Sequence, residues 1–364
     1  MKAIDAKSPI PMYFQLKEIL SGSILEKGLQ KGNKLPSVRD LISKHGVSLP
    51  VVRQALIELE KEGIISIEKG KGSYIVKIPN SRTAKTKSIL FLLCGRDFLD
   101  PYFSKILAGA EKEANLEGYS IIYNGIKKHN HYSLLPERAD ISGSILSGDV
   151  TMDIVKKIQD RKIPFVLASD LNDEKSVPKD IYSVVNNDKE GTYIAVKYLL
   201  SLGHREIAMF TGCKNMFVWE ERRKGYEKAL NEYGVSVQED YIVECKTDTS
   251  EEGYDAISKL FKKHNLPTAI FAGNDRYALG AYRLLNEKGL RIPDDISIIG
   301  FDDLDFAKEL IPPLTTIRAN MEEIGRLAFR NLLNQISNSH KKPRREVLPT
   351  KLIERSSCQK CQKN

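Results

Sequence analysis

Carboxylate and amide side chains recur directly after short apolar segments in the last three quarters of the chain. They include Asp100, Asp170, Asp188, Asn274 and Asp302. Such groups pair with sugar hydroxyls, and a buried acceptor left unpaired costs about 1–3 kcal/mol, so a site of this kind discriminates between epimers. A helix N-cap at a strand-to-helix turn is the alternative explanation for each Asp. Their recurrence favours a binding site for a polyhydroxy ligand.

A second chemical signal is the distribution of charge along the chain. Residues 1–87 contain 16 Lys and Arg against 8 Asp and Glu, whereas residues 88–364 contain 40 of each. The entire net charge of +8 therefore belongs to the first quarter. A compact basic module on a neutral body is typical of a surface that binds phosphates. A solvated basic tail is the alternative, but the helical patterning of this segment favours a folded nucleic-acid-binding module.

Helical periodicity in the basic segment predicts the elements that position its charges. Residues 11–27 form an amphipathic pattern, Ser37 can cap a second helix, and Gly46 precedes a third helix capped by Ser48. Pro50 falls in the first turn of that helix, where its missing N–H has no intrahelical partner to lose. Helix, glycine-containing turn and helix predict a helix-turn-helix, whose second helix enters the DNA major groove.

Two short β-prone runs follow these helices and predict a hairpin. Residues 64–68 and 73–76 flank the sequence Lys69-Gly70-Lys71-Gly72. Lysines suit phosphates, and glycines let the backbone approach DNA closely; a solubilising turn is the alternative for the lysines. The sequence thus predicts an α+β winged helix-turn-helix over residues 1–76. Residues 77–87 are almost free of apolar side chains and predict an exposed linker.

Residues 10–76 resemble the GntR family of bacterial regulators. The matching segments are residues 35–41, 46–56, 59–65 and 70–74. In that family the Arg of the LPSxR motif and the Arg of the VR pair contact DNA, and the resemblance assigns these roles to Arg39 and Arg53. The fork of an arginine donates two hydrogen bonds to guanine, although a solvated helix-face charge is the alternative for both. The predicted DNA-binding residues are Ser37, Arg39, Ser48, Pro50, Arg53, Lys69, Gly70 and Lys71.

One departure from the GntR pattern lies at the start of the third helix. Relatives often carry Arg directly after the capping serine, and this chain has Leu49. The recognition helix therefore lacks one cation, and the base sequence that it reads is expected to differ from that of relatives.

From residue 88 onward, apolar runs alternate with amphipathic segments. This alternation predicts an α/β domain of parallel sheets with helices on both faces. Ligands bind such sheets at the carboxyl ends of the strands. The predicted strands are 88–94, 119–123, 143–146, 165–168, 182–185, 207–210, 269–272 and 296–300. The predicted helices are 103–116, 152–159, 192–202, 225–233, 254–263 and 277–288.

Residues 88–356 resemble the sugar-binding domain of LacI/GalR regulators, which is similar to periplasmic sugar-binding proteins. The matching segments include residues 141–145, 187–191, 202–208, 222–226, 267–275, 292–303 and 313–317, with Asn187-Asp188 in place of the family's usual Asp-Asn. The resemblance implies a two-lobed domain over residues 88–364 that closes on a sugar, with lobe crossings near residues 186 and 316. It also implies a homodimer.

The same resemblance assigns effector contacts residue by residue. They fall on Asp100, Tyr102 and Phe103, on Ser169 or Asp170, on Arg222, on Asn274 or Asp275, and on Asp302. Trp219, the single Trp, lies three residues before Arg222. It is expected either to stack on the effector or to serve in the core or a lid.

A GntR-like head joined to a LacI-like body resembles the arabinose-repressor-like subgroup of GntR proteins. This pairing implies a repressor of carbohydrate-utilisation genes that binds a palindromic double-stranded operator and is released by a sugar or sugar derivative. The effector is expected to be a monosaccharide or phosphosugar, and no cofactor or metal is expected. A ligand-dependent activator or a corepressor-type regulator has the same architecture and stays open, and a cytoplasmic sugar-binding protein is a further alternative.

Enzymes and membrane proteins fit this sequence less well. None of the motifs HExxH, Walker A or nucleophile elbow occurs, and His129 and His131 lie in a polar stretch expected to be exposed. The Cys358–Cys361 pair lacks the second pair of a metal site and is expected to be a tail without function. Without an apolar leader or a run of about 18 apolar residues, the chain is expected in the cytoplasm.

Overall fold

The computed structural model describes residues 4, 11–26, 28–68, 70–77, 87–97, 99–126, 141–172, 178–214, 216–262, 266–337 and 344–362. The chain divides into two compact units, Met1–Thr86 and Lys87–Asn364, named here the head and the body. Among the described helices, none has the length and apolar character needed to span a membrane. Lys69, His129 and His131 and most of the predicted linker lie outside the described residues.

The head has three helices and a two-stranded hairpin. The elements are α1 (Met12–Glu26), α2 (Val38–His45), α3 (Leu49–Lys61), β1 (Ile65–Glu68) and β2 (Gly72–Ile75). The strands are antiparallel, with Ile65 opposite Ile75. This is the predicted winged helix-turn-helix.

Local signals explain where the head helices begin and end. The Ser37 side chain accepts a hydrogen bond from the Asp40 backbone N–H, and the Asp40 carboxylate accepts one from the Ser37 backbone, which completes a capping box. Gly46 ends α2 at a φ of 63°, a left-handed conformation that costs glycine little. Val52, Ala55, Leu56 and Leu59 are buried on one face of α3, as their helical spacing predicts.

The body contains two six-stranded sheets, each at the centre of one lobe. In the amino-terminal lobe the order is β13-β7-β6-β5-β3-β4, and all of its pairings are parallel. Its strands are β3 (Lys87–Cys94), β4 (Tyr119–Ile126), β5 (Gly143–Gly148), β6 (Phe165–Leu167), β7 (Ser183–Asn186) and β13 (Arg345–Leu348). Its helices are α4 (Pro101–Leu116), α5 (Met152–Asp160) and α10 (Met321–Ile336).

The carboxy-terminal lobe repeats this plan, with the order β14-β12-β11-β10-β8-β9 and one antiparallel pairing, between β12 and β14. Its strands are β8 (Ile207–Thr211), β9 (Ile242–Glu244), β10 (Ala269–Ala272), β11 (Ser297–Asp302), β12 (Thr315–Arg318) and β14 (Lys351–Ile353). Its α-helices are α6 (Asp188–Ser201), α7 (Phe217–Glu232), α8 (Ser250–Lys262) and α9 (Asp275–Glu287), and residues 239–241 and 305–308 form 3-10 turns.

The chain passes between the two sheets three times, after β7, after β12, and between β13 and β14. The carboxyl ends of β7, β11 and β12 consequently lie near the junction of the lobes. Strands β3, β5, β7, β8, β10 and β11 are almost entirely buried, which is typical of parallel strands covered by helices on both faces.

The predicted α/β architecture is confirmed, and every predicted strand and helix of the body corresponds to an observed one. The bounds agree within four residues except for the predicted helix 225–233, which begins eight residues earlier, at Phe217. Helix α10 and the four short strands β9, β12, β13 and β14 were not predicted. The four strands have three or four residues each, too few to show a period. Helix α10 has a long apolar face against α4 and should have been found.

Candidate effector cavity and DNA-contact surface

A polar cavity lies between the two lobes of the body. Its wall comes from both lobes near the carboxyl ends of their strands, and it combines charged and amide groups with aromatic rings from α4 and α7. Eight of the ten predicted effector residues line it: Tyr102, Phe103, Ser169, Asp170, Trp219, Arg222, Asn274 and Asp302. The carboxyl-end position follows from parallel strand direction, which collects the loops of several strands at one edge.

Arg222 of α7 organises the carboxy-terminal side of the cavity. Its Nε donates to Asp188 Oδ1 at 2.8 Å, its Nη1 donates to the Gly273 carbonyl, and its guanidinium lies 3.8 Å from the centre of the Phe301 ring. Burial acts to lower the pKa of Arg222, but the carboxylates of Asp188 and Asp302 outweigh it and raise that pKa. The side chain is thus a fixed cation held by protein partners on several sides.

Asp302 ends β11 and faces the cavity from a buried position. Its Oδ1 is 3.7 Å from Arg222 Nη2, close enough for an ion pair but too far for a hydrogen bond, and it has no hydrogen-bond partner among the described residues. Burial raises the pKa of Asp302 well above its ordinary value, although Arg222 acts in the opposite direction. Its backbone φ of 111° is unusual for a residue with a side chain, and such conformations concentrate at functional sites.

Two further buried polar atoms in the wall have no hydrogen-bond partner among the described residues, namely Ser169 Oγ and Arg276 Nε. With Asp302 Oδ1 they leave an acceptor, a hydroxyl and a donor buried and unpaired in residues that line the cavity. Buried groups of this kind are normally paired, because an unpaired one costs about 1–3 kcal/mol. The wall is therefore suited to a ligand that both donates and accepts hydrogen bonds.

Aromatic side chains form the apolar part of the wall. Tyr102 and Phe103 meet edge to face with ring centres 5.1 Å apart, and the Tyr102 hydroxyl accepts a hydrogen bond from Asn186 Nδ2. Trp219 is 5 % exposed and stacks on Tyr277 at 5.9 Å. Most of the indole surface is thus packed against protein, so Trp219 combines a core role with one edge in the wall.

The sequence left open which member of two neighbouring pairs, Ser169 or Asp170 and Asn274 or Asp275, lines the cavity, and the structure treats the two pairs differently. Ser169 and Asp170 both line the cavity, and Asp170 is held by a two-pronged ion pair with Arg345, with both distances 2.9 Å. Asn274 lines the cavity and caps α9 by accepting from the Tyr277 N–H. Asp275 is not in the wall: it is fully buried and accepts hydrogen bonds elsewhere.

Asp275 and Asp100 are corrections to the predicted contact set. Asp275 accepts from the Leu304 N–H at 2.8 Å and the Thr316 hydroxyl at 2.6 Å, so it braces the turn after β11. Asp100 caps α4 through the Tyr102 N–H and accepts from Arg276, and it does not line the cavity. Asp100 is therefore the N-cap carboxylate that the sequence offered as the alternative, whereas Asp275 braces the fold in a way that the sequence did not predict.

Charged and polar wall residues that sequence reasoning did not assign to the site are Arg96, Asp149, Asn172, Asn186, Asp188, Asp248 and Arg276. Asp188 was recognised as a carboxylate that follows an apolar segment, but it was not assigned as an effector contact. Asn186 is the last residue of β7 and Arg276 lies in the first turn of α9, whereas the others come from loops after different strands. The segment Gly95-Arg96-Asp97 after the first apolar run was the signal available for Arg96.

The head presents its predicted DNA contacts on the exposed side of the helix-turn-helix. Arg39 and Arg53 are exposed, and neither has a hydrogen bond or ion pair to another described residue. Ser48 caps α3 by position, but its hydroxyl makes no capping bond, and Pro50 lies exposed in the first turn. The start of α3 therefore leaves these polar groups exposed to solvent.

The described part of the wing is the turn between β1 and β2. Gly70 and Gly72 have φ values of 81° and 119°, which glycine adopts without a steric penalty. Lys71 is exposed, with an ion pair of 3.3 Å to Glu68 that a phosphate can replace. Lys34 lies beside the wing, with its ammonium 5.8 Å from the centre of the Tyr74 ring, and is a cation that the sequence analysis did not select.

Comparisons with known proteins agree with both units. Residues 12–75 match the model of the gntR family of bacterial regulatory proteins, and residues 196–358 match a periplasmic binding protein-like domain. The probable HTH-type transcriptional repressor ExuR of Bacillus subtilis is 33% identical over 258 residues, covering 70% of this chain and 75% of that protein.

Two solved structures resemble the body. A LacI family transcriptional regulator from Enterococcus faecium with bound ribose has a TM-score of 0.66 at 27% identity, covering 75% of this chain and 99% of that one. The lac repressor dimer bound to operator and an anti-inducer has a TM-score of 0.66 at 25% identity, covering 78% and 99% of the two chains.

A winged helix-turn-helix joined to a two-lobed α/β domain with a polar cavity defines a ligand-responsive DNA-binding transcriptional regulator. The chain belongs to the GntR-type regulators that carry a LacI-like effector-binding body. Its relatives are transcriptional regulators and not enzymes.

Proposed function

We propose that this protein is a homodimeric repressor of carbohydrate-utilisation genes that leaves a palindromic operator when a sugar or sugar derivative binds the cavity. The head supplies operator contacts through Ser37, Arg39, Ser48, Pro50, Arg53 and the wing residues Lys69, Gly70 and Lys71. The body supplies the effector site. Two half-sites multiply the specificity of a head that makes few base contacts, which favours the dimer.

The observation that carries the effector assignment is the set of unpartnered buried atoms in the wall: Asp302 Oδ1, Ser169 Oγ and Arg276 Nε. A hydroxyl group donates one hydrogen bond and accepts others, so a polyhydroxy ring satisfies all three. The Tyr102 and Phe103 rings cover its C–H surface. A monosaccharide or a phosphosugar fits this description, and the bound ribose in the Enterococcus faecium regulator supports a ligand of this class.

Release of DNA requires that the effector bind one arrangement of the protein better than another. A coupling of about 1–3 kcal/mol changes operator affinity by about 5–150-fold. We propose that closure of the lobes on the sugar provides this difference. No catalytic step is part of the proposal: the charged wall groups are already paired with one another and act as ligands for hydroxyls.

The test begins with selection of DNA fragments that the full chain binds from a random library. The selected fragment is then titrated with neutral monosaccharides and with their phosphates. Weaker operator binding with at least one compound supports the repressor mechanism, and tighter binding would replace it with a corepressor. No change with any compound, together with no thermal shift, would refute the effector site.

Two variants make this test specific. Asp302→Asn should abolish the response to the active sugar but keep DNA affinity, and Arg53→Ala should weaken DNA binding but keep the sugar-induced thermal shift. Arg291→Ala, in an exposed ion pair with Asp295, is the matched control and should change neither. Consumption of the sugar by purified protein would contradict the absence of catalysis.

A further inference from the structure

Ion pairs connect the two lobes of the body around the cavity. Arg96 follows β3 in the amino-terminal lobe, and its Nη1 donates to Asp248, which follows β9 in the carboxy-terminal lobe. Asp100 and Lys105 of the amino-terminal lobe pair with Arg276 and Asp305 of the other lobe at 2.8 and 2.6 Å. All three pairs cross the cleft that must open to admit an effector.

The three pairs differ in their exposure to solvent. Asp305 is 81% exposed, so its pair with Lys105 contributes little. The Arg276 and Asp100 side chains are 21% and 8% exposed, and the Arg96 and Asp248 side chains are each 18% exposed, so these two pairs are mostly removed from water. Of the three pairs, only Arg96–Asp248 has both partners in the cavity wall. An ion pair that is mostly removed from water is screened weakly by salt and interacts more strongly than a surface pair. The Arg96–Asp248 pair is therefore well placed to influence lobe closure.

Each partner also has a second contact within its own lobe. Arg96 Nε donates to Asp149 Oδ1 at 2.8 Å, and Asn172 donates to the same oxygen at 3.0 Å. Asp248 accepts from the Tyr277 hydroxyl at 2.9 Å. When the lobes separate, Arg96 keeps Asp149 and Asp248 keeps Tyr277, so neither charge is left without a partner. The bond between Arg96 and Asp248 is thus a contact that lobe separation removes without leaving either charge unpaired.

Local backbone geometry fixes the position of Arg96. Gly95 has a φ of 65°, and a Cβ atom there would lie 2.6 Å from Asp149 Oδ2. The absence of a side chain at position 95 lets the Asp149 carboxylate approach the backbone and hold the guanidinium in place. Arg96 is thus held in a defined position on one lobe and projects toward the other.

We propose that Arg96 and Asp248 are positioning residues whose ion pair stabilises the closed arrangement of the two lobes. They raise effector affinity by increasing the population of the closed lobes, because apparent affinity scales with the fraction of protein in the binding-competent state. The consequence for the effector rests on the function proposed above. The effect of the ion pair on the lobe arrangement does not rest on that function, because the lobe arrangement can be measured without any sugar.

The experiment is a distance measurement between nitroxides attached to the full chain at Gln159 of α5 and Asp255 of α8, which are exposed and lie in different lobes. Attachment through a keto amino acid leaves the five cysteines unchanged. An excess of unlabelled chain confines the signal to distances within one chain. Pulsed electron–electron double resonance then measures the distribution of distances between the two nitroxides, which gives the ratio of open to closed molecules.

Arg96→Gln and Asp248→Asn should each raise the open-to-closed ratio by about 5–30-fold, the factor that one or two kcal/mol produces. The double variant should show no more than the larger single effect, because both remove the same bond. Arg291→Gln, which breaks an exposed pair within one lobe, is the control and should leave the ratio unchanged. Additive effects in the double variant, or unchanged single variants, would overturn the proposal.

Salt separates a mostly buried ion pair from an exposed one. At about 1 M NaCl the Debye length falls to about 3 Å, which screens the exposed Lys105–Asp305 pair in the parent and in the variants alike. The Arg96–Asp248 pair is mostly removed from water and is screened much less, so the excess of open molecules in the double variant over the parent should persist at high salt. Loss of that excess at high salt would refute this pair as the cause of closure. A failure of the sugar panel leaves this experiment unaffected and refutes only the effector assignment.

Discussion

Removal of the Arg222 guanidinium should destabilise the body in a pH-dependent way. In Arg222→Ala the carboxylates of Asp188 and Asp302 lose their shared cation, while Asp302 stays buried and the Asp188 side chain is only 11% exposed. Loss of one partner from a buried ion pair costs about 3–5 kcal/mol. For a domain of this size about 1 kcal/mol corresponds to about 2 °C, so the unfolding temperature of the body should fall by about 6–10 °C.

The direction of the pH dependence follows from the two carboxylates. Burial raises the pKa of Asp302 and of Asp188, and Arg222 acts to lower both, so removal of Arg222 raises them further. A carboxyl group with a raised folded pKa binds protons more tightly in the folded state, so its contribution to stability falls as pH rises above the unfolded pKa and through the folded pKa. The loss in the variant should therefore be larger at about pH 8 than at about pH 5.

Scanning calorimetry of the full chain measures this loss of stability. Head and body are separate compact units, so the unfolding of the body can be followed as a transition of its own. Arg222→Lys should fall between parent and Arg222→Ala, since it keeps the charge but loses the fork that reaches Asp188 and Gly273 together. Arg291→Ala, at an exposed pair, should change the unfolding temperature by less than about 1 °C. A drop of equal size at both pH values would refute the assignment of the cost to buried carboxylates.

Three further predictions concern other parts of the chain. Arg53→Ala should weaken binding to the selected operator by about 1–3 kcal/mol and relax the base preference of the protein. Lys71→Ala should weaken binding to all DNA sequences alike and reduce the slope of log affinity against log salt concentration by about one. Filter binding at several salt concentrations distinguishes the two effects. Gly325→Ala should cost about 1–3 kcal/mol in calorimetry, because a Cβ there meets the Ile106 carbonyl where α10 crosses α4, and full stability would contradict this contact. Burial raises the pKa of Asp275 to about 7, so the parent body should lose stability as the pH rises from about 4 to about 7. Asp275→Asn should flatten this pH dependence of stability, and an unchanged pH profile in the variant would refute the assignment to Asp275.

Much of the architecture was available from local sequence patterns. The helix spacing, the capping box at Ser37 and the glycine at position 46 were sufficient to place the helix-turn-helix. In the body, the alternation of apolar and amphipathic segments predicted the parallel sheets. These features depend on neighbours within about ten residues along the chain. Short strands such as β9 and β14 were not predicted because three residues are too few to show a period.

The site was only partly available from the sequence. Strand-end position and the family resemblance brought Tyr102, Arg222 and Asp302 to the cavity together, because parallel strands place their carboxyl ends at one edge. The same reasoning could not separate Asn274 from Asp275. Successive residues at a turn point in different directions, and only the packing of the turn after β11 turns Asp275 inward to Thr316.

Charge distribution and hydrophobic period are properties of the chain alone, and they were enough to predict a basic DNA-binding head and a neutral α/β body. Tertiary structure decided which carboxylates face the effector and which brace the fold. It also decided that Arg96 meets Asp248 across 152 positions of sequence. That contact depends on how two separately formed sheets come together, and no local pattern carries the information.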